Sequence, residues 1–71
     1  RKRNMKITSS LWLDDDVGFC RTVFDHGHSV DRLTRVTLAD GTVSYWLNAA
    51  PITLEVYGAF EAIALSVNFG A

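Results

Sequence analysis

The stretch Arg35–Asn48, RVTLADGTVSYWLN, decides the fold. It is two runs of alternating apolar and polar residues joined by Asp40-Gly41. Alternation with a period of two places successive side chains on opposite faces of a strand. Asp-Gly between two such runs signals a hairpin, because a type I′ turn needs φ > 0 at both central residues. A two-residue loop then sets the register. Leu38 opposes Val43, Val36 opposes Tyr45 and Thr34 opposes Leu47, with Val36, Leu38, Val43, Tyr45 and Leu47 turned to the core. On the other face Thr37 opposes Ser44 and Arg35 opposes Trp46, which brings a guanidinium and an indole together toward water.

Working outward, Lys6–Leu13 reads as a strand with Ile7, Leu11 and Leu13 on one face and Thr8, Ser10 and Trp12 on the other. Asp14-Asp15-Asp16 with Gly18 marks a turn. Phe19–Asp25 reads as a strand apolar on both faces, which suits a central position. His26-Gly27-His28-Ser29 is the next turn. Within Ser29–Val36, Arg32 and Arg35 fall on opposite faces, because three residues change the face of a strand. Pro51 ends the fourth strand, since it has no N–H for the ladder.

The last third has two competing readings. Ile52, Leu54 and Val56 alternate with Thr53, Glu55 and Tyr57, and Ile63, Leu65, Val67 and Phe69 alternate with Ala64, Ser66 and Asn68. That favours two strands linked across Gly58–Glu61. The alternative is a helix over about 54–66, with Leu54, Tyr57, Phe60 and Ile63 on one face, at a cost of about 1 kcal/mol for Gly58. The expected fold class is all-β: a small bent sheet or a five- to six-stranded barrel, with a possible short helix in the C-terminal third.

Arg35–Trp46 resembles the strand–turn–strand unit of small barrels such as the SH3-like and Sm-like folds, over about one sixth of the chain. Fold likeness of this kind implies architecture and assigns no function.

Seventy-one residues form one domain at most. A chain this short buries only about 60% of its unfolded surface and has little room for a deep cleft. Residues 1–5 read as a flexible basic arm or a remnant of upstream sequence, and 6–71 as a single β domain. Net charge is −1. Arg1, Lys2, Arg3 and Lys6 hold most of the positive charge. The rest sets three arginines against all eight carboxylates, a net of −5. An acidic body is a poor match for a phosphate backbone, which disfavours nucleic acid as partner.

Cys20 is the single cysteine, so no disulfide can form within the chain, and a reducing, cytoplasmic setting is expected. MKITSS after the basic start lacks the apolar core of a signal peptide. Ile52–Phe69 has about the length of a membrane span. Glu55 and Glu61 each cost about 3 kcal/mol near a bilayer centre, so no membrane association is expected.

The residues that could carry chemistry are few. Asp14-Asp15-Asp16 has oxygen ligands for a hard cation, but the spacing of an EF-hand loop is missing and the triplet reads as a solvated acidic turn. His26 and His28, near Cys20, Asp25 and Asp31, are metal-ligand types, but without CxxC or HExxH spacing they read as turn residues. Neither a metal nor a cofactor is expected. A Cys–His nucleophilic pair would need an orienting group and an oxyanion hole that nothing in the sequence marks.

The reading is therefore a non-catalytic protein-binding module, a small inhibitor or regulator of a larger complex. Its contact patch would comprise Trp12, Arg35 and Trp46 with the acidic turn Asp14, Asp15 and Asp16. Tryptophan and arginine are the types most enriched in interface hot spots. One alternative is single-stranded nucleic-acid binding through the aromatics and the basic residues Arg1, Lys2, Arg3 and Lys6. The other is a structural subunit that forms homo-oligomers through an exposed edge strand or the apolar tail.

Overall fold

The computed structural model describes residues 5–70. The early basic residues Arg1, Lys2 and Arg3 lie outside the described residues. Five antiparallel strands form one sheet in sequence order: β1 Lys6–Asp14, β2 Val17–Asp25, β3 Val30–Thr37, β4 Val43–Leu47 and β5 Ala50–Ile52. The helix α1, Leu54–Gly70, follows. The sheet is open, with β1 and β5 at its edges, so the expectation of a bent sheet holds and the barrel alternative does not. No helix among the described residues is long and apolar enough to cross a membrane.

The type I′ conformation occurs, but in the first hairpin. Asp15 and Asp16 have φ of 52° and 67°, and Asp14 pairs directly with Val17. Short polar side chains tolerate this left-handed region better than most.

The Asp40-Gly41 loop is one residue longer than expected. The Leu38 N–H donates to the Thr42 carbonyl at 2.8 Å, and the Gly41 N–H donates to the Leu38 carbonyl at 2.9 Å. Only Gly41 (φ 92°) is left-handed. This is a three-residue loop: a turn over Ala39-Asp40 closed by Gly41. The Asp40 carboxylate accepts the Thr42 N–H at 2.9 Å, which holds its pKa below the usual value and fixes the turn.

One extra loop residue shifts the register by one and turns every β3 side chain to the other face. The observed pairs are Leu33 with Leu47, Thr34 with Trp46, Arg35 with Tyr45, Val36 with Ser44 and Thr37 with Val43. Tyr45 and Leu47 pack toward the core as expected. Val36 faces away from it, and Leu33 takes the inward place, fully buried.

The last third is helix rather than two strands after the short β5. Thr53 supplies the reason. Its Oγ1 accepts the Val56 N–H at 3.2 Å and its carbonyl accepts the Tyr57 N–H at 2.9 Å, the geometry of an N-cap. Glu55 in the first turn suits the positive end of the helix. The helix lays Tyr57, Phe60 and Ala64 on the sheet, at i, i+3 and i+7. Leu54 and Ile63, expected on that face, are exposed.

The core is therefore one-sided and small. Phe24, Leu33 and Tyr57 form its centre, with Met5, Ile7, Tyr45, Leu47, Ile52, Phe60 and Ala64 around them. Phe24 meets Phe60 edge-on at 6.0 Å, and the Tyr45 and Tyr57 rings lie 4.7 Å apart. At the opposite end from the two hairpin tips, Asp31 organises the loops. It accepts from Asn48 Nδ2 at 3.2 Å and contacts His26 Nε2 at 3.0 Å, and these bonds, with that of Asn48 first, hold its pKa below the usual value.

The Tyr57 hydroxyl is buried and has no hydrogen-bond partner among the described residues. Burial and the nearby Glu61 carboxylate push its pKa up to about 12. The phenol is thus neutral in the fold at all pH values where the unfolded chain's phenol is neutral, and stability is lost as pH rises from about 10 through about 12. Tyr57→Phe removes an unsatisfied donor, so it should be neutral or stabilising by up to about 1 kcal/mol near pH 7. It should also abolish the alkaline loss, as read by thermal melts across pH. Leu33→Ala should cost about 2–5 kcal/mol in the same assay.

Candidate functional site

The sheet has one face under the helix and one with no element over it among the described residues. On the helix-free face the register builds two adjacent rows. Trp12, Phe19, Val36 and Ser44 form one, and Ser10, Arg21, Thr34, Trp46 and Pro51 the other. The two tryptophans sit in adjacent rows on β1 and β4, strands three spacings or about 14 Å apart. They bracket a strip made of Phe19, Arg21, Thr34 and Val36.

This strip is tied together by side-chain contacts. Trp12 stacks on Phe19 with centroids 5.1 Å apart and planes 11° from parallel. The Arg21 guanidinium lies 5.4 Å over the Trp12 ring, a cation–π arrangement. Arg21 Nε also donates to Thr34 Oγ1 at 3.1 Å, which fixes the guanidinium plane across β2 and β3. Trp46 Nε1 donates to Ser44 Oγ at 3.0 Å, so the second indole is anchored at its polar edge. Trp12 is 39% exposed and Trp46 is half-buried.

The expected patch is thus partly assembled and partly corrected. Trp12 and Trp46 do share a face. Arg35 does not: the one-residue register shift puts it on the helix-bearing face, between Cys20 and Tyr45. Arg21 occupies the place expected of Arg35, beside an indole. Two signals in the sequence point to it: it is in phase with Phe19 along β2, and the Asp15-Asp16 turn sets it opposite Ser10. Asp14, Asp15 and Asp16 stand exposed at the hairpin tip, two residues beyond Trp12, and form an acidic rim to the aromatic strip. Lys6 begins β1 at the other end, across from Asp25.

A second feature lies on the helix-bearing face beyond the reach of α1. Leu11, Leu13, Gly18, Cys20, Arg35 and Thr37 line an open trough of about 440 Å³. Leu11 and Leu13 are 76% and 78% exposed there. Arg35 makes no ion pair among the described residues, where the single ionic contact is His26–Asp31. The outer side of α1 is also apolar, with Leu54, Ile63 and Leu65 exposed.

Among the described residues no group of three His, Cys, Asp or Glu side chains gathers as a metal site would require. His26 bonds to Asp31, and His28 is an exposed loop residue. Comparison with protein-family models, with curated proteins and with solved structures gives no match.

Arg21 holds Trp12 in place, so Arg21→Ala should loosen the ring. In a Trp46→Phe background the Trp12 emission should move to longer wavelength, while the chain loses about 1 kcal/mol of stability or less. An unchanged spectrum would show that the cation does not pin the indole.

Proposed function

We propose that the chain is a non-catalytic protein-binding module that presents the helix-free face of its sheet to a partner. The observation that carries this reading is the preassembled strip Trp12–Phe19–Arg21–Thr34–Trp46, held by a stack, a cation–π contact and two side-chain hydrogen bonds on an uncovered face. Ordering flexible side chains at an interface costs about 0.5–1.5 kcal/mol each. Here much of that ordering is done before any partner arrives.

The aromatic strip would supply the buried centre of the contact, and the acidic turn Asp14–Asp16 its polar rim. That division matches the anatomy of protein interfaces, with aromatic and arginine anchors inside and charge at the edge. An acidic rim favours a partner surface rich in Lys and Arg and raises the rate of encounter with it. Acting by occupation of a partner's surface, the module would serve as a small inhibitor or regulator of a larger complex. Cys20 as a free thiol fits a reducing, cytoplasmic setting for that work.

Affinity capture with the wild-type chain, Trp12→Ala and Trp46→Ala tests the reading. Each substitution should weaken retention of a specific partner by roughly 30-fold, equivalent to about 2 kcal/mol, while melts shift little. A partner held equally by all three chains would overturn it. A parallel titration with a thymidine oligonucleotide at low salt separates the nucleic-acid alternative, since binding that falls steeply with salt would favour that reading.

A further inference from the structure

We propose that β1 is a homodimerisation edge. Lys6–Asp14 would pair antiparallel with the same strand of a second copy about a two-fold axis at Ser10, joining two five-stranded sheets into one of ten.

The two edges of the sheet are built differently. β5 is three residues long and carries Pro51, which blunts it against further pairing. β1 is nine residues long and pairs with β2 without a bulge from Lys6–Asp25 to Asp14–Val17. It has no proline, and its charges stand only at its ends. Its outer row of N–H and C=O groups has no strand beside it among the described residues. A long, regular edge without such protection is a template for another strand.

The sequence of β1 selects the second copy and the register. Lys6 is at one end and Asp14 at the other. Antiparallel pairing about Ser10 sets Lys6 against Asp14 of the second copy at both ends. Parallel pairing would instead set like charge against like. The same register pairs Ile7 with Leu13 and Ser9 with Leu11 on the helix-bearing face, and Thr8 with Trp12 on the other. Among the registers that keep each face with its like, this one pairs all nine residues. It places the exposed Leu13 beside Ile7 of the second copy, which packs against that copy's core. The contact is isologous, so each stabilising pair occurs twice and the assembly closes at two.

Three measurements on the full chain test this. Sedimentation equilibrium up to millimolar protein should give a dimer mass at the upper end. Leu11→Lys/Leu13→Lys should raise the dissociation constant at least tenfold with an unchanged circular dichroism spectrum, because both side chains are exposed in the single chain. In a Cys20→Ser background, Ser10→Cys should form an intermolecular disulfide on mild oxidation. Opposed residues of an antiparallel pair have Cα atoms about 4.5–5.5 Å apart, within the range a disulfide spans. Thr8→Cys should not cross-link, because its counterpart would stand four residues along, about 13 Å away. A strictly monomeric mass would overturn the proposal. So would a dimer that survives the lysine variant, or one that cross-links equally well from positions 8 and 10.

Discussion

The Leu38 N–H bond to the Thr42 carbonyl closes the β3–β4 loop at three residues, and the two faces of the sheet take their composition from that closure. With it, Leu33 meets Leu47 and lies under Tyr57, while Thr34 lies between Arg21 and Trp46. A loop shorter by one would send Leu33 to the open face and bring Thr34 under the helix. Gly41 permits the closure because its φ of 92° is readily adopted only by glycine. Asp40 reinforces it by accepting the Thr42 N–H. A five-residue segment at the surface thus sets which side chains build the core and which remain for a partner.

The core built this way covers only part of one face. The helix packs along Tyr57, Phe60 and Ala64, which cover Phe24, Leu33 and their neighbours. The hairpin tips reach past it, and Leu11, Leu13 and Arg35 lie beyond its cover. Its outer side carries Leu54, Ile63 and Leu65 where a surface helix would ordinarily be polar. In so small a chain the exposed apolar side chains form a large share of the surface, and clustering of that kind marks association sites. The structure therefore combines a minimal core with several surfaces whose composition suits burial.

Much of this architecture is legible in the sequence because strand periodicity and turn chemistry act locally. The four long strands, the turns between the first three and the two faces of β1 follow from alternation and from Asp and Gly. Pro51, expected to end the fourth strand, instead pairs with Trp46 within β5, and the left-handed Asn48 makes the turn before it. The β3–β4 register does not follow either, because Asp-Gly fits a two-residue type I′ loop and a three-residue loop about equally well. The choice between them rests on burying Leu33, a contact between distant parts of the chain. The helix was obscured for a related reason: apolar residues recur in Ile52–Phe69 densely enough to satisfy both periods. The Thr53 cap is the local signal for helix, and it outweighs the β-branched content of Ile52–Val56. Arg21 is less legible because its place beside Trp12 depends on pairing two strands, through the register that the Asp15-Asp16 turn sets.

The helix-free face and the β1 edge are geometrically compatible surfaces. A two-fold axis relating two antiparallel edge strands runs perpendicular to the sheet, so both helix-free faces would point the same way. Trp12 lies two residues from Ser10, and its partner residue across the edge would be Thr8 of the second copy. The two aromatic strips would then extend outward from the axis on one continuous surface, each bordered by its own acidic turn. A partner with repeated or extended basic surface could engage both strips at once, and the second contact would form at the high effective concentration set by the first. Edge pairing and face binding would in that case reinforce one another: whatever binds both strips favours the dimer, and the dimer favours whatever binds both strips, by the same free energy.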